Sequence, residues 1–429
     1  MDGVSPRLVA DLAWERSPGV VTPELAATWC SLSLTVDGNP VTLVADARGG
    51  GFRRRVHTSA YPLAEWIATR WWFLNAHVRP SAVSADRWRF SRSPQHLWLR
   101  HHNVRGAGGG MPWPDLTVVP EGGVTRLVWH AAAGTAGQPV TFLTSGDSYL
   151  PAREVRDVLT QIVVSVLDRL AEAGVRGTTL QEEWEALEQL DVEERQFAAA
   201  AARLGLDPFD VDADITVQLE AVSQDFEGSL LDEFLDSADP ARLLTASEWL
   251  HRAKVLAIPG TATGWDDLPI AADGHSDRPW QAGYAAASRV REHLQLDPRD
   301  KVDLDTLVAT ARVSGDSAGL QGLVAVRDGA VGLALPQEIG QSSARRFAQA
   351  RALGLSVLEE RTLALLDPTG TVSAKTSRAF AAELLAPAEG IAAYLREHPQ
   401  VNDRALEAVA RSFGTSPLLV QRQYDNQLA

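Results

Sequence analysis

The chain has 429 residues, 45% of them apolar, with a formal net charge of −15. That length exceeds one ordinary hydrophobic core and predicts two or three domains. No apolar run of about 18 residues argues for a spanning helix, and the single cysteine, Cys30, excludes an intramolecular disulfide and a cysteine-built zinc site. The start, "MDGVSPRLVADLAWERSPGV", lacks the basic-then-apolar order of a secretory leader, so a cytoplasmic protein with no membrane partner is expected.

In chain order, "LSLTVDGNPVTLVAD" (32–46) alternates apolar and polar residues around Asp37-Gly38-Asn39-Pro40, a hairpin signal. "ARGGGFRRR" (47–55) then sets three arginines after three glycines. With Trp66, Trp71 and Trp72 nearby it forms a candidate nucleic-acid surface, arginine for phosphate and tryptophan for bases. The total charge opposes strong DNA binding, and the tryptophans have helical spacing. In "YPLAEWIATRWWFLNAHV", Leu63, Trp66, Ile67, Trp71 and Leu74 repeat as the core face of a helix would.

"HLWLRHHN" (96–103) and "GGVTRLVWHAA" (122–132) read as strands bracketing a glycine-rich connection. His101, His102, Arg105, Trp113 and Asp115 surround Gly106, Gly108, Gly109 and Gly110, a group that could form a ligand site. The loop fits neither a Walker A pattern nor a dinucleotide fingerprint. Adjacent strand residues face opposite ways, so a metal at His101 or His102 would need His77, His96 or His130 brought close by folding. The Trp-Pro-Asp turn predicts a packed Trp113 and an Asp115 that accepts backbone hydrogen bonds. "AREVRDVLTQIVVSVLDRLAEA" (152–173) is a strongly amphipathic helix. Residues 1–175 therefore predict a mixed α/β domain within an α+β protein.

From Thr179 to Leu250 there are 19 acidic residues against three arginines, which carries the whole negative excess. Residues 1–110 lean the other way, with 13 arginines against eight acids. The segment 176–256 reads as an acidic helical region whose charge is a solvated face or a partner-facing surface. The Gly-, Pro- and Asp-rich 257–279 reads as a linker. Residues 280–429 predict a mostly helical domain with a small sheet: a helix at "QAGYAAASRVREHL", two strands around "GLVAVRDGAVGLAL", and helices to the end.

Within that last domain, "RRFAQARALGLSVL" (345–358) and "SRAFAAELLAP" (377–387) carry a resemblance. The stretch 280–425 resembles the ImmA/IrrE family of metallopeptidase-like proteins, whose helix R-R-F-x-x-A-H-E-x-G-H offers two imidazoles to zinc and a glutamate to bound water. The frame survives as Arg345, Arg346, Phe347, Ala350 and Gly354. The ligand positions hold Arg351 and Leu355, and the base position holds Ala352. The second run matches through Phe380, Ala381, Ala382, Leu384, Leu385 and Pro387, and the family's third, acidic ligand would fall near Ala374. "LEAVARSFGTSPLLVQRQYDN" is similar to the family's closing helix pair.

The resemblance implies a zincin-like fold with neither metal nor cofactor. It implies a vestigial cleft near Phe347, Arg351, Leu355 and Phe380, where Arg351 would anchor a carboxylate or point into solvent. It also implies a protein partner, such as a helix-turn-helix regulator or a subunit of a stress, mobile-element or phage-defence system. The rival expectation is an enzyme or nucleic-acid-processing factor working at His101, His102, Arg105 and Asp115.

Overall fold

The computed structural model describes residues 7–46, 51–79, 94–131, 140–260, 278–397 and 401–428. The chain is a multidomain α+β protein that divides into two units, Met1–Val211 and Asp212–Ala429. The division falls inside the acidic stretch that the sequence alone presents as one region, 176–256. Helices Thr179–Gln189 and Val192–Arg203 pack in the first unit, against Tyr61–Thr69 and Trp71–Ala76. Helices Ala213–Asp225, Gly228–Ser237 and Leu243–Leu256 belong to the second. Each of these helices has its own apolar stripe to bury, such as Leu180, Trp184 and Leu187, and the acids take the remaining faces. Of the linker expected at 257–279, residues 261–277 lie outside the described residues. No helix among the described residues is long and apolar enough to cross a membrane.

In the first unit, Trp29–Val36 is a central strand, antiparallel to Leu8–Trp14 on one side and to Asn39–Pro40 and Val56–Ser59 on the other. The Asp37–Gly38 turn has both residues at positive φ, 48° and 77°, the type I′ geometry that matches strand twist. A second sheet is an antiparallel meander of Asp115–Pro120, Val124–His130 and Gly146–Pro151. A third, short sheet sets Val44–Asp46 between Phe52–Arg53 and Val140–Phe142. Helix Ala152–Glu172 adds Val155, Leu159, Ile162, Val163, Val166 and Leu170 to the core formed with Leu32 and Leu34.

One expectation fails here. The 96–103 stretch is the end of a helix, Pro94–His102, and not a strand. Trp98, Leu99 and His102 are buried at the spacing of one helix face, and the stretch has no β-branched residue to favour a strand. Of the arginine run, Arg53 pairs with Asp46 at 3.2 Å, Arg55 bonds Asp11 and the carbonyl of Ser31, and Arg54 is exposed. Trp66 is buried in the core, and Trp71 meets Trp184 edge-on at 5.2 Å. Residues 47–50 of that motif lie outside the described residues.

In the second unit a four-stranded sheet runs in the order Val308–Val313, Ala330–Pro336, Leu323–Arg327, Leu363–Leu365. The first pair is parallel and the other two are antiparallel. Helices Pro279–His293, Ser342–Leu358 and Val372–Leu385 pack against one another. Helices Ala388–Leu395, Asp403–Phe413 and Pro417–Gln427 close the unit. Phe380, Leu384, Ile391 and Phe413 join the sheet residues Val324 and Leu333 in one core.

Candidate functional site

Ser342–Leu358 is built mainly from Ala, Arg, Gln and Leu, good helix formers, with Gly354 as the one poor one. From Ala348 to Leu355 every residue is buried, so this stretch has no solvent face. Gly354 sets the distance to the next helix. A Cβ there would stand 2.7 Å from Phe380 Cδ1, so the glycine is the notch into which Phe380 packs. Phe380 is therefore a core residue and not a cleft residue. Leu355 and Ala352 are core residues too, and Ala374, where an acidic ligand would fall, is buried.

Arg351 does not point into solvent. It is 4% exposed, and its guanidinium donates from Nη2 to the carbonyl of Asp367 at 2.8 Å, from Nη1 to Gln321 Oε1 at 3.3 Å and from Nε to Ser377 Oγ at 3.4 Å. The sequence Asp367-Pro368-Thr369-Gly370-Thr371 shapes this receptor. The Asp367 carboxylate accepts from the Thr369 amide and hydroxyl, both at 2.6 Å, and from Thr371 Oγ1 at 2.8 Å. Thr371 in turn caps Val372–Leu385 by accepting from the Ala374 amide. Arg378 donates to the carbonyls of Asp367 and Thr369 at 3.4 and 2.8 Å. Burial, and then the neighbouring Arg378 charge, push Arg351 down to about 9, against the opposing pull of Asp367 and Glu233.

On the N-terminal half of the same helix lies a cavity of about 530 Å³, bordered by Leu320, Gln321, Ile339, Phe347, Arg351 and Leu366. A larger hollow of about 880 Å³ lies at the other end of the helix, beside Lys254, Glu359 and Arg361, away from positions 351, 352 and 355. There Glu233 accepts from the Leu365 amide at 2.7 Å and from Arg361, which also pairs with Glu359 at 2.8 Å. Burial raises the Glu233 carboxyl to about 7. Gln321, Asp367 and Glu233 lie in no motif of the sequence, and Ser377 only opens the 377–387 run. The one signal available was Asp367-Pro-Thr-Gly-Thr, a side-chain-bonded turn by composition.

In the first unit, folding brings His77 to His102, with Nδ1 and Nε2 3.3 Å apart. The other ring nitrogen of His102 donates to the Val118 carbonyl at 3.0 Å, so its Nε2 is the acceptor and His77 Nδ1 the donor. His102 is fully buried and stacks on Trp98 at 4.0 Å, while His101 turns away onto Phe73 at 4.2 Å. The two histidines diverge because neighbouring residues on a helix differ by about 100°. Burial lowers His77 to about 3 and His101 to about 4, and lowers His102 as well. Among the described residues no group of three or more His, Cys, Asp or Glu side chains could hold a metal.

Trp113 is packed and its indole donates to the Gly108 carbonyl at 2.8 Å, pinning the glycine loop. Gly109 sits at φ 67° with its open side against Pro62. Asp115 accepts not from backbone but from the Asn103 amide at 2.7 Å, with Arg105 4.0 Å away. Asn103 also donates to Thr117. Of the polar groups expected to meet a ligand here, His102, Trp113 and Asp115 are engaged within the unit, and the buried Nδ1 of His101 has no hydrogen-bond partner among the described residues. No family model and no curated protein matches the chain.

Proposed function

We propose that the second unit is a metallopeptidase-like scaffold of the ImmA/IrrE type whose chemistry has been replaced, and that the chain acts in the cytoplasm by binding a protein partner at the cleft beside Arg351. One observation carries this reading: a guanidinium, buried and bonded to three neighbours, stands at the first zinc-ligand position of the motif. A cation there repels Zn²⁺. Leu355 has no lone pair for a metal, and Ala352 cannot take a proton from water. The cleft nevertheless keeps a cavity with an apolar wall of Leu320, Ile339 and Phe347. The partner class that fits the resemblance is a helix-turn-helix regulator or a subunit of a stress, mobile-element or phage-defence complex.

The test compares tagged wild-type chain with Phe347→Glu, matched for thermal stability and recovered from the native host. A stoichiometric partner captured by the wild type and lost from the variant supports the reading. Capture unaffected by the substitution overturns it, as does peptide hydrolysis that requires zinc and stops with a chelator.

A further inference from the structure

Arg351 is a buried cation with no counter-charge in contact. Among the described residues it forms no ion pair, and its three acceptors are neutral. Only the bond to the Asp367 carbonyl is short; those to Gln321 and Ser377, at 3.3 and 3.4 Å, are at the weak end of the range. The two carboxylates whose charge acts on it are engaged elsewhere: Asp367 is held by Thr369 and Thr371, and Glu233 by Arg361 and the Leu365 amide. Arg378 brings a second guanidinium to the same Asp367 carbonyl. A guanidinium has five N–H donors, so two on Arg351 are left without an acceptor among the described residues. A buried charge in that condition is costly unless something pairs with it.

The open side of this group borders the cavity, and so does Gln321, an exposed residue whose amide oxygen makes the long bond to Nη1. A carboxylate entering the cavity would displace that amide oxygen, because a charge-assisted bond is stronger than a neutral one. Most of the remaining wall is apolar, with Leu320, Ile339, Phe347 and Leu366 as its large side chains and Ser317 as a small polar one. The cavity's volume of about 530 Å³ is that of a small-molecule or side-chain pocket. At the rim stand Asp316, already paired with Arg242, and the exposed Glu338. They disfavour a ligand with a second negative charge.

We infer that this cavity binds a single carboxylate joined to an apolar group, with Arg351 holding the carboxylate and Phe347, Leu320, Ile339 and Leu366 enclosing the apolar part. The peptide C-terminus and the free monocarboxylic acid share this chemistry. The inference rests on the reading of this cleft as the working surface, and it names what the cleft holds.

Calorimetric titration of the full chain tests it with three probes: N-acetylphenylalanine, its C-terminal amide, and octanoate. The acids bind, and the amide binds at least about tenfold more weakly. A preference for N-acetylphenylalanine identifies a peptide terminus as the source, and a preference for octanoate identifies a free acid. Arg351→Gln removes the preference for acid over amide. Because that variant alters a buried site, Gln321→Glu serves as the second. It places a carboxylate beside Arg351 from an exposed position and weakens both acids by about tenfold or more, while the melting temperature holds or rises.

Equal binding of acid and amide, no binding of any probe, or undiminished acid binding by Gln321→Glu overturns the inference. Partner capture that depends on Phe347, without any carboxylate preference, overturns this inference alone. Carboxylate binding with Phe347-independent capture overturns the protein-binding reading alone.

Discussion

Arg351 shows what a buried guanidinium needs from its surroundings. A metal ligand requires a lone pair aimed at a cavity; a guanidinium requires acceptors on several sides, and the loop Asp367–Thr371 supplies one of them as a carbonyl. The sequence drew attention to position 351 through the flanking Arg345, Arg346, Phe347 and Gly354, on which the resemblance rests. Its burial was not legible there, because that depends on how a distant turn closes over the helix. Replacing this cation separates its charge from its volume. Arg351→Met keeps the volume and removes the desolvation cost, so it changes stability by no more than about 1 kcal/mol in either direction. Arg351→Ala leaves a void as well and costs about 2–4 kcal/mol. Urea denaturation of the two variants, compared with the parent, checks the ordering.

At the scale of elements, the two helices Ser342–Leu358 and Val372–Leu385 are keyed together by Gly354 and Phe380. A glycine in a helix interior is normally improved by alanine, by roughly 0.5–1 kcal/mol. Here the added methyl would meet the Phe380 ring at 2.7 Å. Gly354→Ala is therefore expected to destabilise the chain by about 1–3 kcal/mol, and Phe380→Leu, which makes room, to recover part of that loss in the double variant. Thermal melts of the two single variants and the double variant decide it; additive losses would remove the key.

Elements with a strong period were readable without coordinates. Ala152–Glu172 repeats its apolar face over 21 residues, and the Asp37–Gly38 turn announces its hairpin. Pro94–His102 was misread because a short run mixing histidine with Leu and Trp carries little period, and the buried histidine supplies the missing position of the face. The strand Leu363–Leu365 is only three residues long, and part of its definition comes from Glu233 bonding the Leu365 amide. No local pattern announces that kind of strand.

For the whole molecule, the ionisable groups of the two units respond to acid in opposite senses. In the first unit His77, His101 and His102 have folded values below the ordinary 6.5. The unfolded chain therefore binds protons first, and stability present above pH 6.5 is lost as pH falls from there toward 4 and 3. The fully buried imidazole, His102, contributes a loss of up to about 1.4 kcal/mol per pH unit, and the half-buried His77 and His101 contribute less. In the second unit Glu233 has a folded value of about 7, above its ordinary 4.5. The folded chain then holds the extra proton, so this contribution is present below pH 4.5 and disappears as pH rises through 7. Hydrogen exchange at pH 5 and pH 8, corrected for intrinsic rates, is expected to show lower protection in the Val118 and His102 region and higher protection around Leu365 at the acid condition. Glu233→Gln, which keeps an acceptor for the Leu365 amide, removes the second effect and leaves the first. Parallel changes in both units, or a Leu365 response that survives Glu233→Gln, would refute the assignment.

The division at Val211 and Asp212 has a consequence for inheritance. It falls after the helix ended by Gly205 and immediately before a helix whose first turn is capped by Asp212. A recombination event in the gene at this point cuts no helix. It transfers either the core around Leu32 and Ile162 or the core around Phe380 and Leu333 intact into another reading frame. The cavity beside Arg351 travels whole with the second half, so a carboxylate-binding module can be inherited without the histidine pair and the pinned glycine loop of the first.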